Sequence, residues 1–110
     1  MPGEIIEIKT RDEFKTYVKN HKIVIVKIGA TWCGPCKRSS PTVQKLFSQM
    51  PENVNMVLVD ADSGSDVKNY LKIKVVPTLI SFIDGYPCEI YQTSDNNEIK
   101  LFFEKVLTYF

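Results

Sequence analysis

Hydrophobic and polar positions follow two alternating patterns along the chain, one typical of strands and one of helices. Short apolar runs predict five β-strands, at residues 4–8, 23–28, 54–59, 78–83 and 87–92. Helical spacing and capping signals predict four helices, over residues 10–20, 36–50, 65–71 and from 95 to the end. The order β-α-β-α-β-α-β-β-α predicts an α/β fold with a mixed central β-sheet flanked by helices.

Local signals indicate where several of these elements begin and end. Thr10 and Asp95 each precede an acidic residue by three positions, as a helix N-cap does. Asp84-Gly85 predicts a hairpin between the last two strands. Pro41 should kink the second helix, and Gly29 should end the second strand. The last helix is expected to bury one apolar face, formed by Ile99, Phe102, Phe103, Val106, Leu107 and Phe110.

Composition and charge narrow the class of protein. A chain of 110 residues suits a single domain over residues 1–110, and 44% hydrophobic residues suffice for one core. The net charge of +1 is spread along the chain, which argues against nucleic acid as a partner. No apolar stretch approaches the ~20 residues of a membrane span, and no signal peptide is visible. Three cysteines are too few for a secreted disulfide framework, so a reducing compartment, the cytoplasm, is expected.

Two of the three cysteines, Cys33 and Cys36, are three residues apart where the second strand gives way to the second helix. Side chains at i and i+3 of a helix face the same side, with Cβ atoms about 5–6 Å apart. A disulfide requires a Cβ separation of about 3.5–4.5 Å. A small adjustment in the first turn would therefore form or open a bond between them.

A helix start also makes one of these thiols reactive. Unpaired backbone N–H groups and the positive end of the helix dipole stabilise a thiolate, so Cys33 is expected to ionise readily and act as nucleophile. Cys36, one turn further in, is expected to be more shielded than Cys33 and to resolve the mixed disulfide. Pro35 suits a helix start because it has no N–H to leave unpaired. Gly34 lets a substrate chain approach closely.

The cysteine pair has two other interpretations. A C-x-x-C pair can be half of a zinc site, but a structural site needs four ligands and only Cys88 and His21 remain. His21 ends the first helix and is expected to be half exposed. The pair could also be two unrelated buried cysteines, which the strand before it and the helix after it disfavour. Redox chemistry without a metal or other cofactor is the favoured interpretation.

Three segments together resemble the thioredoxin family. The segment Ala30-Thr31-Trp32-Cys33-Gly34-Pro35-Cys36-Lys37 looks like the family's active site, with its full W-C-G-P-C motif. Val75-Val76-Pro77-Thr78 matches the place where the family has a cis-proline facing the dithiol, and Asp84-Gly85 matches its hairpin. The element order agrees over essentially the whole chain. The resemblance therefore implies one complete thioredoxin fold.

The resemblance also implies roles for individual residues. Cys33 would attack a substrate disulfide and Cys36 would resolve the intermediate, while Trp32 flanks the dithiol and touches the substrate. Pro77 would be cis, and the backbone of Val76 would pair with an extended substrate segment. The alternative for Pro77 is an ordinary proline at the start of a strand.

The implied activity is the reduction of protein disulfides, with functions in electron transport and cell redox homeostasis. The expected partners are disulfide-containing proteins and a recycling reductant, either thioredoxin reductase or glutathione. The Gly-Pro pair between the cysteines resembles the reducing members of the family. Two alternatives stay open: a disulfide oxidase or isomerase of a dedicated pathway, and a binding module that keeps the fold for docking.

Four positions depart from the family pattern. Lys27 replaces a buried Asp that helps to deprotonate the resolving thiol, and Met56 replaces its partner lysine. Lys27 would act as a neutral base or a thiolate-stabilising cation, or else extend outward or pair with an acid without a role. Thr93 stands where the family has a glycine beside the substrate groove, and Gly29 replaces a tryptophan. A side chain at Thr93 would narrow the groove, which predicts a narrower or different range of substrates.

The third cysteine, Cys88, lies on the last predicted strand after Pro87. We expect it to be a small, partly buried apolar side chain. The alternative is an exposed thiol that forms an intermolecular disulfide or a mixed disulfide with glutathione.

Overall fold

The structure, a computed structural model, describes residues 2–110. Met1, which the predicted 1–110 domain includes, lies outside the described residues. The strands and helices of residues 2–110 follow the predicted order: β1 (Ile5–Glu7), α1 (Arg11–Asn20), β2 (Ile23–Gly29), α2 (Gly34–Ser48), β3 (Val54–Asp60), α3 (Ser65–Tyr70), β4 (Thr78–Ile83), β5 (Tyr86–Tyr91) and α4 (Asn96–Leu107).

The strands form one mixed sheet in the order β1-β3-β2-β4-β5. β3 runs parallel to β1 and β2, whereas β4 runs antiparallel to β2 and β5. Asp84 and Gly85 make the predicted hairpin turn, with φ of 52° and 85°. The predicted fold class is therefore confirmed, and β2 occupies the centre of the sheet.

Alternating residues of β2 point into two separate apolar layers. Val24 and Val26 pack in the layer that contains Phe14 of α1. Ile25 packs in the opposite layer, which contains Phe47 of α2 and Phe102 of α4. Because side chains of a strand alternate between faces, the next residue on the face of Ile25 is Lys27. The sheet thus directs Lys27 towards α2.

Most element boundaries differ from the prediction by one or two residues, and the end of α4 differs by three. β2 continues through Gly29, which pairs with Asp60 of β3. α2 begins at Gly34 rather than 36, because Cys33 acts as its N-cap. α4 ends at Leu107, where the N–H of Thr108 donates to the carbonyl of Lys105. The kink at Pro41, which lies within α2, stays a prediction.

The predicted apolar face of α4 was wrong at its end. Leu107 and Phe110 are 46% and 56% exposed, respectively. Phe110 lies beyond the last helical residue, so the helical spacing no longer directs it to the core. The face is buried at Ile99, Phe102, Phe103 and Val106.

Candidate active site

Cys33 and Cys36 are joined by a disulfide at the junction of β2 and α2. Their Cα atoms are 5.3 Å apart, and both residues are buried. Cys33 is 4% and Cys36 6% exposed, so the expectation that Cys36 is the more shielded was wrong, because both belong to the same turn at the helix start. Cys33 caps α2: its Sγ accepts a hydrogen bond from the backbone N–H of Cys36, with a separation of 3.1 Å. The helix start thus directs a backbone donor at the sulfur of the first cysteine, as the sequence predicts for a thiolate site.

Gly34 and Pro35 form the first turn of α2, between the two sulfurs. Gly34 is exposed and Pro35 is half-buried, so the backbone between the cysteines is open to an approaching chain. Pro35 lacks an N–H group, and at the start of a helix no intrahelical hydrogen bond is lost.

Trp32 precedes the disulfide and is 67% exposed, which leaves a large apolar surface beside the site. Its indole Nε1–H donates to Oδ2 of Asp62, 3.0 Å away in the turn after β3. The backbone N–H groups of Ser63 and Asp62 donate to the Asp60 carboxylate and lower its pKa. The sequence did not indicate that Asp62 contacts the site. The acidic turn after β3 was visible, but nothing local linked it to Trp32.

The start of β4 lies at the same edge of the sheet as the disulfide. Thr78 pairs with Ile28 of β2, so the residues just before Thr78 lie near the end of β2. The Val76–Pro77 peptide bond is cis. Pro77 is buried, Val76 is half-buried and Val75 is 50% exposed, so the segment presents backbone and an apolar side chain to solvent.

Thr93 lies in the segment between β5 and α4 and is half-buried. Its hydroxyl oxygen accepts a hydrogen bond from the backbone N–H of Asp95 at 2.9 Å. Together with Arg38 of α2 it lines an open cleft of about 940 Å³. The Thr93 side chain therefore does occupy space at this cleft, where a glycine would leave room.

Lys27 is half-buried, and its ammonium Nζ donates to Oγ of Ser40 in α2 at 2.9 Å. Burial lowers the pKa of the Lys27 amine. The one ion pair within residues 2–110 joins Lys9 and Glu7, so the alternative in which Lys27 pairs with an acid was wrong. Ser40 lies one helical turn beyond Cys36, on the same side of α2. The amine is thus held about one turn from the second cysteine.

Gly29 and Met56 complete the surroundings of Lys27. A Cβ atom at Gly29 would lie 3.6 Å from Sγ of Cys36, so the glycine leaves room for one methyl group beside the disulfide. Gly29 and Lys27 line a small cavity of about 190 Å³, which Asp60 also lines. Met56 is buried in the apolar layer shared with α2 and pairs with Ile25. Lys27 therefore lines an open cavity that carries two carboxylates, those of Glu7 and Asp60.

Cys88 and His21 lie apart from this site. Cys88 is exposed on β5, which contradicts the expectation of a partly buried side chain. The β4–β5 register shifts at this point, so the local strand alternation does not place the Cys88 side chain in the core. His21 is half-buried and stacks on Tyr17 at 4.0 Å between ring centroids. No group of three or more potential metal ligands occurs in residues 2–110.

Comparisons with known proteins agree on one family. Residues 5–105 match the family model described as Thioredoxin. Thioredoxin-1 of Saccharomyces cerevisiae is 35% identical over 81 residues, which cover 74% of this chain and 78% of the relative. Thioredoxin of Ictalurus punctatus is 30% identical, with 87% of this chain and 92% of the relative covered. Other relatives are longer: the match covers 42% of Thioredoxin-2 of Pyricularia oryzae.

Solved structures show the same similarity in three dimensions. The crystal structure of Malassezia sympodialis thioredoxin superimposes with a TM-score of 0.82 and 28% identity, covering 96% of this chain and 93% of that chain. Plasmodium falciparum thioredoxin gives a TM-score of 0.83 at 26% identity, covering 90% and 96%, respectively. Within residues 2–110, no helix is long and apolar enough to cross a membrane.

Proposed function

The chain belongs to the thioredoxin family and is a thiol–disulfide oxidoreductase, and from this premise we propose that it reduces disulfides of other proteins through Cys33 and Cys36. The observation that carries the proposal is the disulfide at the start of α2, where the Cys36 N–H donates to the Cys33 sulfur. The family match covers residues 5–105, which supports one catalytic unit over the predicted domain 1–110.

The proposed reaction is two thiol–disulfide exchanges. In the reduced protein, the Cys33 thiolate attacks one sulfur of the substrate disulfide, and the other substrate sulfur leaves as a thiolate. Cys36 then loses its proton and attacks the Cys33 sulfur, which restores the Cys33–Cys36 disulfide and releases the second substrate thiolate. Two electrons pass from the dithiol to the substrate. The hydrogen bond from the Cys36 N–H and the helix dipole favour the Cys33 thiolate.

Residues around the dithiol are proposed to bind the substrate. The half-buried backbone at Val76, next to the cis bond to Pro77, would pair with an extended substrate chain. Trp32 supplies an exposed apolar surface next to Cys33, and the Thr93 side chain narrows the cleft that it lines with Arg38. The exposed Gly34 admits the chain to the sulfurs.

Lys27 is proposed to modulate the proton transfer of Cys36. Its amine is held by Ser40, one helical turn beyond Cys36, and the open space at Gly29 adjoins the Cys36 sulfur. A positive charge at this place favours the Cys36 thiolate, whereas a neutral amine would accept its proton. A carboxylate has the opposite charge, so the resolving step of this chain is proposed to differ in its pH dependence from that of relatives with an acid there.

The proposed partners are disulfide-containing proteins and a reductant that restores the dithiol, either a thioredoxin reductase or glutathione. A Mycobacterium leprae relative, 29% identical over 85 residues, is a bifunctional thioredoxin reductase/thioredoxin, which favours a reductase for this chain as well. Functions in electron transport and cell redox homeostasis follow from this cycle. The cytoplasm is the proposed location, because a reducing compartment keeps the exposed Cys88 thiol free.

The redox equilibrium of the dithiol tests this proposal. Protein with Cys88→Ser, which removes the exposed third thiol, is equilibrated with a glutathione series and read by alkylation and mass. A potential near the roughly −270 mV of thioredoxins supports a reductase, whereas one between about −180 and about −120 mV would indicate a disulfide isomerase or oxidase. A pair that never cycles would leave only the binding module.

Two variants separate the roles of the cysteines. In the Cys88→Ser background, Cys36→Ser should trap a mixed disulfide with a substrate protein, because the resolving thiol is missing. Cys33→Ser should form no such adduct and lose reductase activity. An adduct that forms through Cys36 in the Cys33→Ser protein would contradict the assigned order of attack.

A further inference from the structure

The guanidinium of Arg38 lies beside the dithiol without an acidic partner. Arg38 follows Cys36 by two residues in α2 and is exposed. A Cβ atom at Gly34 would lie 3.2 Å from its Nη1 atom, so the guanidinium folds back over the turn between the two cysteines. The one ion pair of residues 2–110, Lys9 with Glu7, does not involve it. A positive charge thus faces solvent where a substrate sulfur has to approach.

Arg38 forms one wall of the open cleft of about 940 Å³, and residues 92–97 form the other. The second wall consists of hydroxyl and amide side chains and one carboxylate, that of Asp95. Asp95 caps α4: its Oδ2 accepts the backbone N–H of Glu98 at 3.0 Å, so its charge is already opposed by the positive end of that helix. The cleft therefore offers one unpaired cation opposite hydroxyl and amide groups and a single carboxylate, that of Asp95, which is engaged as a helix cap.

We infer that Arg38 selects disulfide substrates with a carboxylate close to the reacting cysteine, and that the cleft between Arg38 and residues 92–97 receives this carboxylate. A guanidinium binds a carboxylate through two parallel hydrogen bonds, which favours an acidic side chain over its amide analogue. The inference rests on the proposed function, because a chain reaches this cleft from the dithiol only when it docks as a substrate. Arg38 acts on substrate choice and leaves the sulfur chemistry to the cysteines.

A pair of matched substrates tests this inference. We would use disulfide-linked homodimers of a short capped peptide that differ only in a Glu or a Gln two positions from the cysteine. The second-order rate constant for reduction by the reduced protein is measured for both, by acid quench and chromatography. The readout is the ratio of the Glu to the Gln rate constant, which cancels any general effect of a variant on the thiols.

We expect the wild-type ratio to be about two- to fivefold, the range that exposed ion pairs produce. Arg38→Gln should bring the ratio to about one, and Arg38→Glu should reverse it, because like charges then meet. Lys37→Gln is the matched control: it removes the neighbouring exposed cation, which does not line the cleft, and should keep the wild-type ratio.

Equal rates for the two peptides with the wild-type protein would overturn the inference and leave the proposed reductase activity intact. A loss of the ratio in Lys37→Gln as large as in Arg38→Gln would also overturn it, since the general positive field would then select the substrate. Failure to reduce either peptide, or any protein disulfide, would instead contradict the proposed function itself.

Discussion

Gly29→Ala is expected to stabilise the protein, although the glycine lies against the active-site disulfide. Gly29 ends β2 and pairs with Asp60, and its φ lies outside the left-handed region that favours glycine. A Cβ atom there would lie 3.6 Å from Sγ and 3.7 Å from Cβ of Cys36. Both are ordinary van der Waals distances, so the added methyl group fills free space without displacing a neighbour.

The expected gain is close to 1 kcal/mol. Replacing a glycine whose backbone accepts any residue restricts the unfolded chain and is worth about 0.4–1 kcal/mol. A fully buried methyl group adds about 0.8 kcal/mol, and the half-buried position of Gly29 reduces this share. Against a total stability of about 5–15 kcal/mol this gain is measurable. It corresponds to a rise in the melting temperature of about 4–8 °C for a domain of this size.

Urea unfolding of the oxidised wild-type and variant proteins measures this difference in the free energy of unfolding. The slope of that free energy against urea concentration should be the same for both proteins. Gly64→Ala is the matched control, because its Cβ atom would lie 2.8 Å from the carbonyl oxygen of Asp60 and 3.1 Å from Cγ1 of Val59. The control should lose about 1–3 kcal/mol through overpacking. If Gly29→Ala lost stability as the control does, the space inferred beside Cys36 would not exist and the reasoning would be refuted.

Three further predictions concern charge, packing and thiol reactivity. Lys27→Met should raise stability at pH 7, because burial lowers the pKa of the amine. The charged amine is therefore less favourable in the folded protein than in the unfolded chain. That advantage should shrink as the pH rises towards 10.5, and a gap in urea midpoints that widens with pH would contradict it. Phe102→Ala should lose about 3–5 kcal/mol in thermal unfolding, because the ring is fully buried against Tyr91 and Phe103; a loss under 1 kcal/mol would be inconsistent with that packing. Iodoacetamide should add once to the native oxidised protein, at Cys88, and a Cys88→Ser protein that still reacts would show that the disulfide opens.

Periodicity was enough to predict the elements and their order, because the central strands and the helices bury apolar side chains at regular spacing. It failed where an element ends. Phe110 continues the helical spacing of α4, but the helix stops at Leu107 and the ring is left exposed. Cys88 follows a register shift between β4 and β5, where alternation no longer assigns a residue to one face. The error at Phe110 arises from a helix end that the repeating pattern does not contain, whereas Cys88 was expected to be partly buried from its residue type alone.

The candidate site likewise has one part that the sequence predicts and another that it does not. The dithiol lies in one continuous stretch, and its reactivity follows from a strand that ends and a helix that begins, so the sequence alone predicts it. The groups that surround it come from distant segments: Asp62 reaches Trp32 across 30 positions, and Ser40 reaches Lys27 across 13. Electrostatics depends on such distances, because the interaction between two charges changes with their separation and burial. The type of chemistry therefore follows from one short segment of sequence. The surroundings of Lys27 and Arg38, which modify that chemistry, depend on how distant segments come together in the fold.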